Sequence, residues 1–189
     1  MRVFLGSDHA GFELKARLVE QLTIWGHEPI DCGARVLDPA DDYPAPCIEA
    51  ASRTAREPGA LGVVIGGSGN GEQIAANKVR GVRAALIWSD ETARLARAHN
   101  DANVAAIGAR DHSVQDAVRL LEIFLATPFS GDRRHLRRIA QIAEFEATGR
   151  LSGPESGGGD SRGRDSGGRD SGGCPPERCS AGWDCAGLE

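Results

Sequence analysis

Leu61-Gly62-Val63-Val64-Ile65-Gly66-Gly67-Ser68-Gly69-Asn70-Gly71-Glu72 decides the fold. Its opening residues, Leu61 to Ile65, form a continuous apolar run that predicts a strand buried on both faces. Glycines end the run, and Glu72 to Lys78 then predicts a helix. A buried strand, a glycine turn and a helix form part of a β-α-β unit. Such units build parallel sheets covered by helices on both faces.

The same alternation extends in both directions. Arg2 to Gly6 reads as a short strand, followed by apolar residues at helical spacing (Phe12, Leu14, Leu18, Val19, Leu22) up to Gly26. Pro29 to Cys32 reads as a strand, and Pro44 to Glu57 as a helix closed by Pro58-Gly59. Downstream, Val82 to Trp88 reads as a strand and Asp90 to Ala98 as a helix with Ser89 as N-cap. Val104 to Gly108 is the fifth strand, Ser113 to Ala126 a helix stopped before Pro128, and Arg133 to Thr148 the last helix. Five strands alternating with helices predict a three-layer α/β/α sandwich, Rossmann-like, with a five-stranded parallel sheet. Ligands of such sheets sit beyond the carboxyl ends of the strands. The chemistry-bearing segments are expected to gather there.

Composition sets the limits. The chain has 189 residues and a net charge of −5, which argues against a nucleic-acid partner, since such binding needs a basic face. No apolar run approaches the ~20 residues of a membrane span. Met1-Arg2-Val3-Phe4-Leu5-Gly6 lacks the features of a signal peptide, so no membrane association and a cytoplasmic location are expected. Aromatic residues are only 5%, so the core must be built from Ala, Val, Leu and Ile. Five cysteines, an odd number, fit reduced thiols better than a disulfide framework. Composition breaks near Arg150. Residues 151–189 hold 11 of the 25 glycines and a repeated Arg-Asp-Ser-Gly-Gly, and are expected to form a disordered tail behind a domain spanning 1–150. Cys174, Cys179 and Cys185 fall in that tail at spacings unlike a zinc site, so no metal is expected.

Four segments carry chemistry. Asp8 and His9 follow the first strand. They sit where side chains project into a strand-end crevice, although Asp8 or Ser7 also suits a helix cap. Gly66 to Gly71 holds four glycines in six positions. Its backbone N–H groups and the positive end of the following helix make an anion cradle. It matches neither the dinucleotide fingerprint nor a Walker loop. Glu72 is either an N-terminal helix residue favoured by the macrodipole or a base. In the second role it faces a carbon whose developing charge the amides stabilise. His99-Asn100-Asp101-Ala102-Asn103 is either a helix stop or the place of a general acid. Arg110 follows the fifth strand. Arg134 and Arg138, four apart, share one face of the last helix and read as a phosphate clamp or as a solvated charged face.

Together these segments resemble the type B ribose-5-phosphate isomerases and their allose-6-phosphate and galactose-6-phosphate relatives. The carriers are Ser7-Asp8-His9-Ala10-Gly11, Asp42-Tyr43-Pro44, Gly67-Ser68-Gly69-Asn70-Gly71, Ala75-Ala76-Asn77-Lys78, His99-Asn100-Asp101-Ala102-Asn103 and Gly108-Ala109-Arg110. The resemblance covers residues 1 to 148. It implies an aldose-ketose isomerase that interconverts ribose 5-phosphate and ribulose 5-phosphate through a cis-enediolate, in the non-oxidative pentose phosphate pathway. It implies no cofactor, and a homodimer whose active sites take residues from both chains. Asp8, His9 and Asn100 would bind the sugar. Gly67, Ser68, Gly69, Asn70 and Gly71 would form the anion hole. His99 would open the ring, and Arg110, Arg134 and Arg138 would hold the phosphate, with His135 as a further candidate. Many members carry a cysteine base just before the loop. Gly66 stands there in this chain, so the resemblance is to the subgroup whose base is the glutamate after the loop, Glu72. The alternatives are an isomerase of another sugar phosphate, such as allose 6-phosphate, and a non-catalytic sugar-phosphate-binding module.

Overall fold

The computed structural model describes residues 1–151. The expected tail, with its three cysteines, lies outside the described residues. Five strands form one parallel sheet in the order β2-β1-β3-β5-β4. They are β1 (Arg2–Ser7), β2 (Glu28–Asp31), β3 (Leu61–Gly66), β4 (Ala84–Leu86) and β5 (Val104–Gly108). The helices are α1 (Phe12–Ile24), α2 (Pro44–Arg56), α3 (Asn70–Ala76), α4 (Asp90–Asn100), α5 (Val114–Ala126) and α6 (Arg133–Thr148), with a 3₁₀ turn at His9–Gly11. The α/β/α sandwich is as the alternation predicts.

Strand periodicity divides the core between the two faces of the sheet. Val3, Leu5, Val63, Ile65, Ala105 and Ile107 point to one side, where Leu14, Leu18 and Leu22 of α1, Ala93 and Ala96 of α4, and Leu120, Leu121 and Phe124 of α5 cover them. Phe4, Val64, Val104 and Ala106 point to the other side, against Cys47, Ala50 and Ala51 of α2 and Ala75 and Ala76 of α3. This second layer is thin because small residues line it. A β-carbon at Gly6 would lie 2.3 Å from the Pro46 carbonyl oxygen, and one at Gly62 would lie 2.6 Å from Thr54 Oγ1. Close packing of this kind is what the low aromatic content requires.

β1 has β2 on one side and β3 on the other, so the connections leaving β1 and β3 part company there. A crevice opens at such a switch point, outside the carboxyl ends of the strands. The turn after β1 carries Asp8 and His9, and the turn after β3 carries the glycine loop.

Three boundaries differ from the periodicity for identifiable reasons. β4 is shorter than the expected Val82 to Trp88. It is an edge strand, and the Trp88 and Ser89 amides turn away to Thr92 Oγ1 at 3.0 and 2.9 Å to start α4. α3 begins at Asn70 rather than Glu72, which puts Glu72 inside its first turn. α4 continues through His99 and Asn100 and stops at Asp101, which adopts a left-handed conformation with φ 42°. The Asp101 carboxylate pairs with Arg97 at 2.8 Å and Arg83 at 3.0 Å, which holds that unusual cap.

Asn77 latches the edge strand. Its Nδ2 donates to the Ala84 carbonyl at 2.9 Å and its Oδ1 accepts from the Ala84 amide at 2.8 Å. Asn77→Ala leaves both backbone groups without this partner. We expect a loss of about 1–3 kcal/mol in urea-unfolding stability, with the secondary structure retained by circular dichroism.

Candidate active site

The turn after β1 is built by Asp8. Its Oδ1 accepts from the Ala10 and Gly11 amides at 3.0 and 3.2 Å, so it is a cap, as one of the two sequence readings has it. The carboxylate is buried, and its charge adds to the upward push on the Glu72 carboxyl. His9 is held by a residue that the sequence reading missed. Asp41 Oδ1 accepts from both the His9 backbone amide and ring Nδ1, each at 2.8 Å. This partnership, with Asp8 nearby, raises the His9 pKa and leaves Nε2 as the nitrogen available to a ligand. Nothing in Asp38, Asp41 and Asp42, three acids in an aperiodic loop, marks Asp41 out in advance.

The glycine loop follows β3. The amides of Gly67, Ser68 and Gly69 have no hydrogen-bond acceptor among the described residues. Gly69 sits at φ 77°, and a β-carbon there would come 3.0 Å from the Ile107 carbonyl carbon, so only glycine fits. Arg110 lies over the loop: its guanidinium carbon is 3.2 Å from where a Gly67 β-carbon would be. Tyr43 closes the other side, 2.7 Å from the equivalent point at Gly71. Ser68 and Asn70 also line an open crevice of about 390 Å³ with Trp88, Asp111 and His112. A larger cavity of about 560 Å³, at the far end of the sheet, contains none of the expected site residues.

Glu72 is 4% exposed. Burial pushes its carboxyl up, and the Asp8 charge adds to this. A hydrogen bond from its own backbone N–H pulls the other way. The side chain occupies the space beside Gly66, where a β-carbon would fall 1.8 Å from Glu72 Oε1. Position 66 can therefore carry a side chain only if the carboxylate leaves. Cys47 is fully buried in the same wall, and burial, Glu72 and Asp8 together push its thiol up. It is a packing residue in its neutral form, not a nucleophile.

The remaining residues are elsewhere. Not every chemistry-bearing segment follows a strand's carboxyl end, and this corrects the sequence expectation. α4 runs antiparallel to the strands, so His99 and Asn100 lie where the strands begin. Arg83, just before β4, donates to the Asn100 carbonyl at 2.9 Å, and the Gly62 amide donates to the Asn103 carbonyl at 2.8 Å. α6 lies at this same end, with the His135 ring centroid 4.2 Å from that of His99 and Glu146 on the Gly81 amide. Arg134 and Arg138 therefore accompany His99. The five residues of β5 separate this group from the glycine loop by roughly 15 Å of strand. Asn77 and Asn103 prove structural: the Asn103 side chain ties the Arg83 amide to the Gly81 carbonyl. His135, a candidate phosphate ligand, is 2% exposed and offers no face to a ligand.

Comparison with known proteins accords with this geometry. The sequence signature of a family described as Ribose/Galactose Isomerase matches residues 3–142. The chain belongs to this family. Ribose-5-phosphate isomerase B of Mycobacterium tuberculosis strain H37Rv is 60% identical over 148 residues, covering 78% of this chain and 91% of that protein. A probable ribose-5-phosphate isomerase B of Mycoplasma pneumoniae is 38% identical over 144 residues, covering 76% and 94%. The type B ribose 5-phosphate isomerase of Trypanosoma cruzi superposes with a TM-score of 0.75 at 40% identity, covering 79% of this chain and 98% of that one. The Mycoplasma genitalium enzyme, solved with bound ribulose 5-phosphate, gives 0.75 at 37% identity, covering 78% and 97%.

Two outcomes follow from the crowding at Glu72. Gly66→Ala should fold normally, since the clashing atoms are the movable end of a flexible side chain. With Glu72 in the role of base proposed below, it should lose about 10²–10⁴-fold in kcat, as read by steady-state assay. In that proposed role the raised carboxyl must be ionised to accept a proton, so kcat should fall as pH drops through it. The acid limb of the pH profile should lie above the ~4.3 of an ordinary glutamate.

Proposed function

We propose that the chain interconverts ribose 5-phosphate and ribulose 5-phosphate, with Glu72 as the base. One observation carries this reading: a buried carboxylate with raised pKa stands at the mouth of a loop with three unpaired amides. That pairing suits removal of a proton next to a carbonyl, where negative charge passes to oxygen as the C–H bond breaks.

The steps are as follows. Phosphate docks on the arginines and supplies binding energy remote from the chemistry. His99 gives a proton to the ring oxygen as the furanose opens. Glu72 removes the C2 proton, and the loop amides with Ser68 hold the cis-enediolate oxygens. The hydroxyl proton passes from O2 to O1 of the cis-enediolate, and the protonated carboxyl returns its proton to C1, which yields the ketose. Asp8, His9 and Asn100 orient the sugar. No redox partner or cofactor enters, because the electrons stay within the substrate. The family name and the relatives support a substrate of this class. We assign the activity to residues 1–150, the reaction to the cytoplasm and to the non-oxidative pentose phosphate pathway. Among the described residues, no helix is long and apolar enough to cross a membrane.

The two residue groups at opposite ends of the sheet support a homodimer in which His99, Asn100, Arg134 and Arg138 of one protomer complete the glycine-loop site of the other. Exposed Leu136, Ile142 and Phe145 on α6 give a second copy an apolar surface to cover.

The test of the activity is an isomerase assay over five- and six-carbon sugar phosphates, with Glu72→Gln beside the parent chain. The amide is isosteric and cannot take the proton. We expect turnover to fall by at least about 10²-fold with KM little changed. Turnover within a few-fold of the parent would remove Glu72 as base. A preference for a six-carbon substrate would redirect the reading to another member of the family. Shared sites have a separate test. Mixing inactive Glu72→Gln with inactive His99→Ala should restore about a quarter of the activity, because half of randomly paired dimers are mixed and each holds one intact site of two. No recovery after subunit exchange would place both residues in a single chain's site.

A further inference from the structure

His135 is buried, unused in the steps above, and touches both ends of the second residue group. Its Nδ1 lies 2.9 Å from Ser130 Oγ, its Nε2 accepts from Arg134 Nε at 3.0 Å, and its ring packs on that of His99 at 4.2 Å and 37°. The protonation pattern follows from chemistry. A guanidinium only donates, so Nε2 must carry a lone pair. The single ring proton is then on Nδ1, where it is donated to Ser130 Oγ. Ser130 Oγ also takes the Asp132 amide at 3.3 Å, which braces the turn into α6. The ring is thus neutral and held in one tautomer.

The surroundings keep it so. The charged and titratable groups facing His135 are His99 from α4, Arg134 and Arg138 from α6, and Asp132 from the preceding turn, whose carboxylate is 3.9 Å away. Burial is the largest influence against the imidazolium, and the three basic neighbours add to it. Asp132 alone favours it.

We propose that His135 is a positioning residue that aims the Arg134 guanidinium and supports the ring of His99, so that one neutral imidazole aligns the phosphate clamp with the proton donor. Arg134 is exposed, and its Nε is occupied by His135, so its two terminal nitrogens remain for phosphate oxygens. His99 is half-buried, and the flat face beneath it limits the tilt of its ring. This inference rests on the proposed isomerase reading for its kinetic consequences, but not for its phosphate-binding or tautomeric ones.

Two substitutions separate the two functions. His135→Phe keeps a ring under His99 and removes the acceptor for Arg134. It should raise KM for the sugar phosphate and Ki for inorganic phosphate by about tenfold or more while kcat stays within about threefold. His135→Gln keeps an acceptor near the Nε2 position and removes the ring. It should leave KM near the parent value and lower kcat from the cyclic sugar. A role confined to packing would change both parameters together in both variants, in step with the melting temperature. That pattern overturns the proposal, as does a Ki for phosphate within twofold of the parent in His135→Phe. Nitrogen-15 NMR of the unmodified full chain gives a reading that needs no variant to fold: the proton should sit on Nδ1 of His135 at neutral pH, and a proton on Nε2 refutes the tautomer argument. If the parent chain isomerises no sugar phosphate, the functional reading fails. The phosphate affinity of His135→Phe, measured by calorimetry, still decides the role of His135.

Discussion

The space beside Gly66 holds one group, and that group is the Glu72 carboxylate. A β-carbon at position 66 would overlap the carboxylate oxygen at 1.8 Å, which is far inside van der Waals contact. The absent side chain therefore creates the room in which a buried carboxyl can stand against the end of β3. The same burial raises its pKa, and the adjoining loop carries amides with no acceptor among the described residues. In the proposed role of base, a carboxyl with raised pKa is better matched to carbon-acid chemistry near neutral pH than an ordinary glutamate. One glycine thus links packing, electrostatics and reactivity.

The thin layer of α2 and α3 serves the same end. Gly6, Gly62, Ala50, Ala51, Ala75 and Ala76 let these helices lie close on the sheet. Their proximity brings Tyr43, at the start of α2, onto Gly71, and Cys47 into the wall behind Glu72. Larger residues in this layer would push the helices outward and open the space around Glu72 to water. The other face carries the bulkier leucines and Phe124, and with them most of the apolar burial. Most of the apolar burial and the proposed base thus lie on opposite sides of one sheet.

Buried polar side chains settle what apolar packing leaves free. Lys15 is 2% exposed and is satisfied by Asp31 Oδ1 at 2.7 Å and by the carbonyls of Gly33 and Ala34. It anchors the start of the long loop between β2 and α2, and the Asp41–His9 contacts anchor its far end. A buried charge is tolerated only when fully paired, so these contacts specify one loop path among many. Asn77 and Asn103 do the same for the edge of the sheet around β4.

Local signals carried a great deal. Short apolar runs located the five strands, and helical spacing with turn residues located the six α-helices, because burial of a strand or of a helix stripe leaves those patterns directly in the sequence. Ser89 caps α4 as its position suggests, and the glycines before Glu72 announced the loop between β3 and α3. The sequence did not reveal that His99 and the arginines of α6 occupy the opposite end of the sheet from the glycine loop. Val104 and Gly108 look equivalent as strand termini, yet one end holds His99 with its arginines and the other holds Glu72. That assignment depends on chain direction and strand order. The contacts between Asp41 and His9, 32 residues apart, and between His135 and His99, 36 apart, are equally invisible. Short-range periodicity reports which face a residue turns inward. Only the assembled sheet, with its β2-β1-β3-β5-β4 order, decides which distant residues then meet.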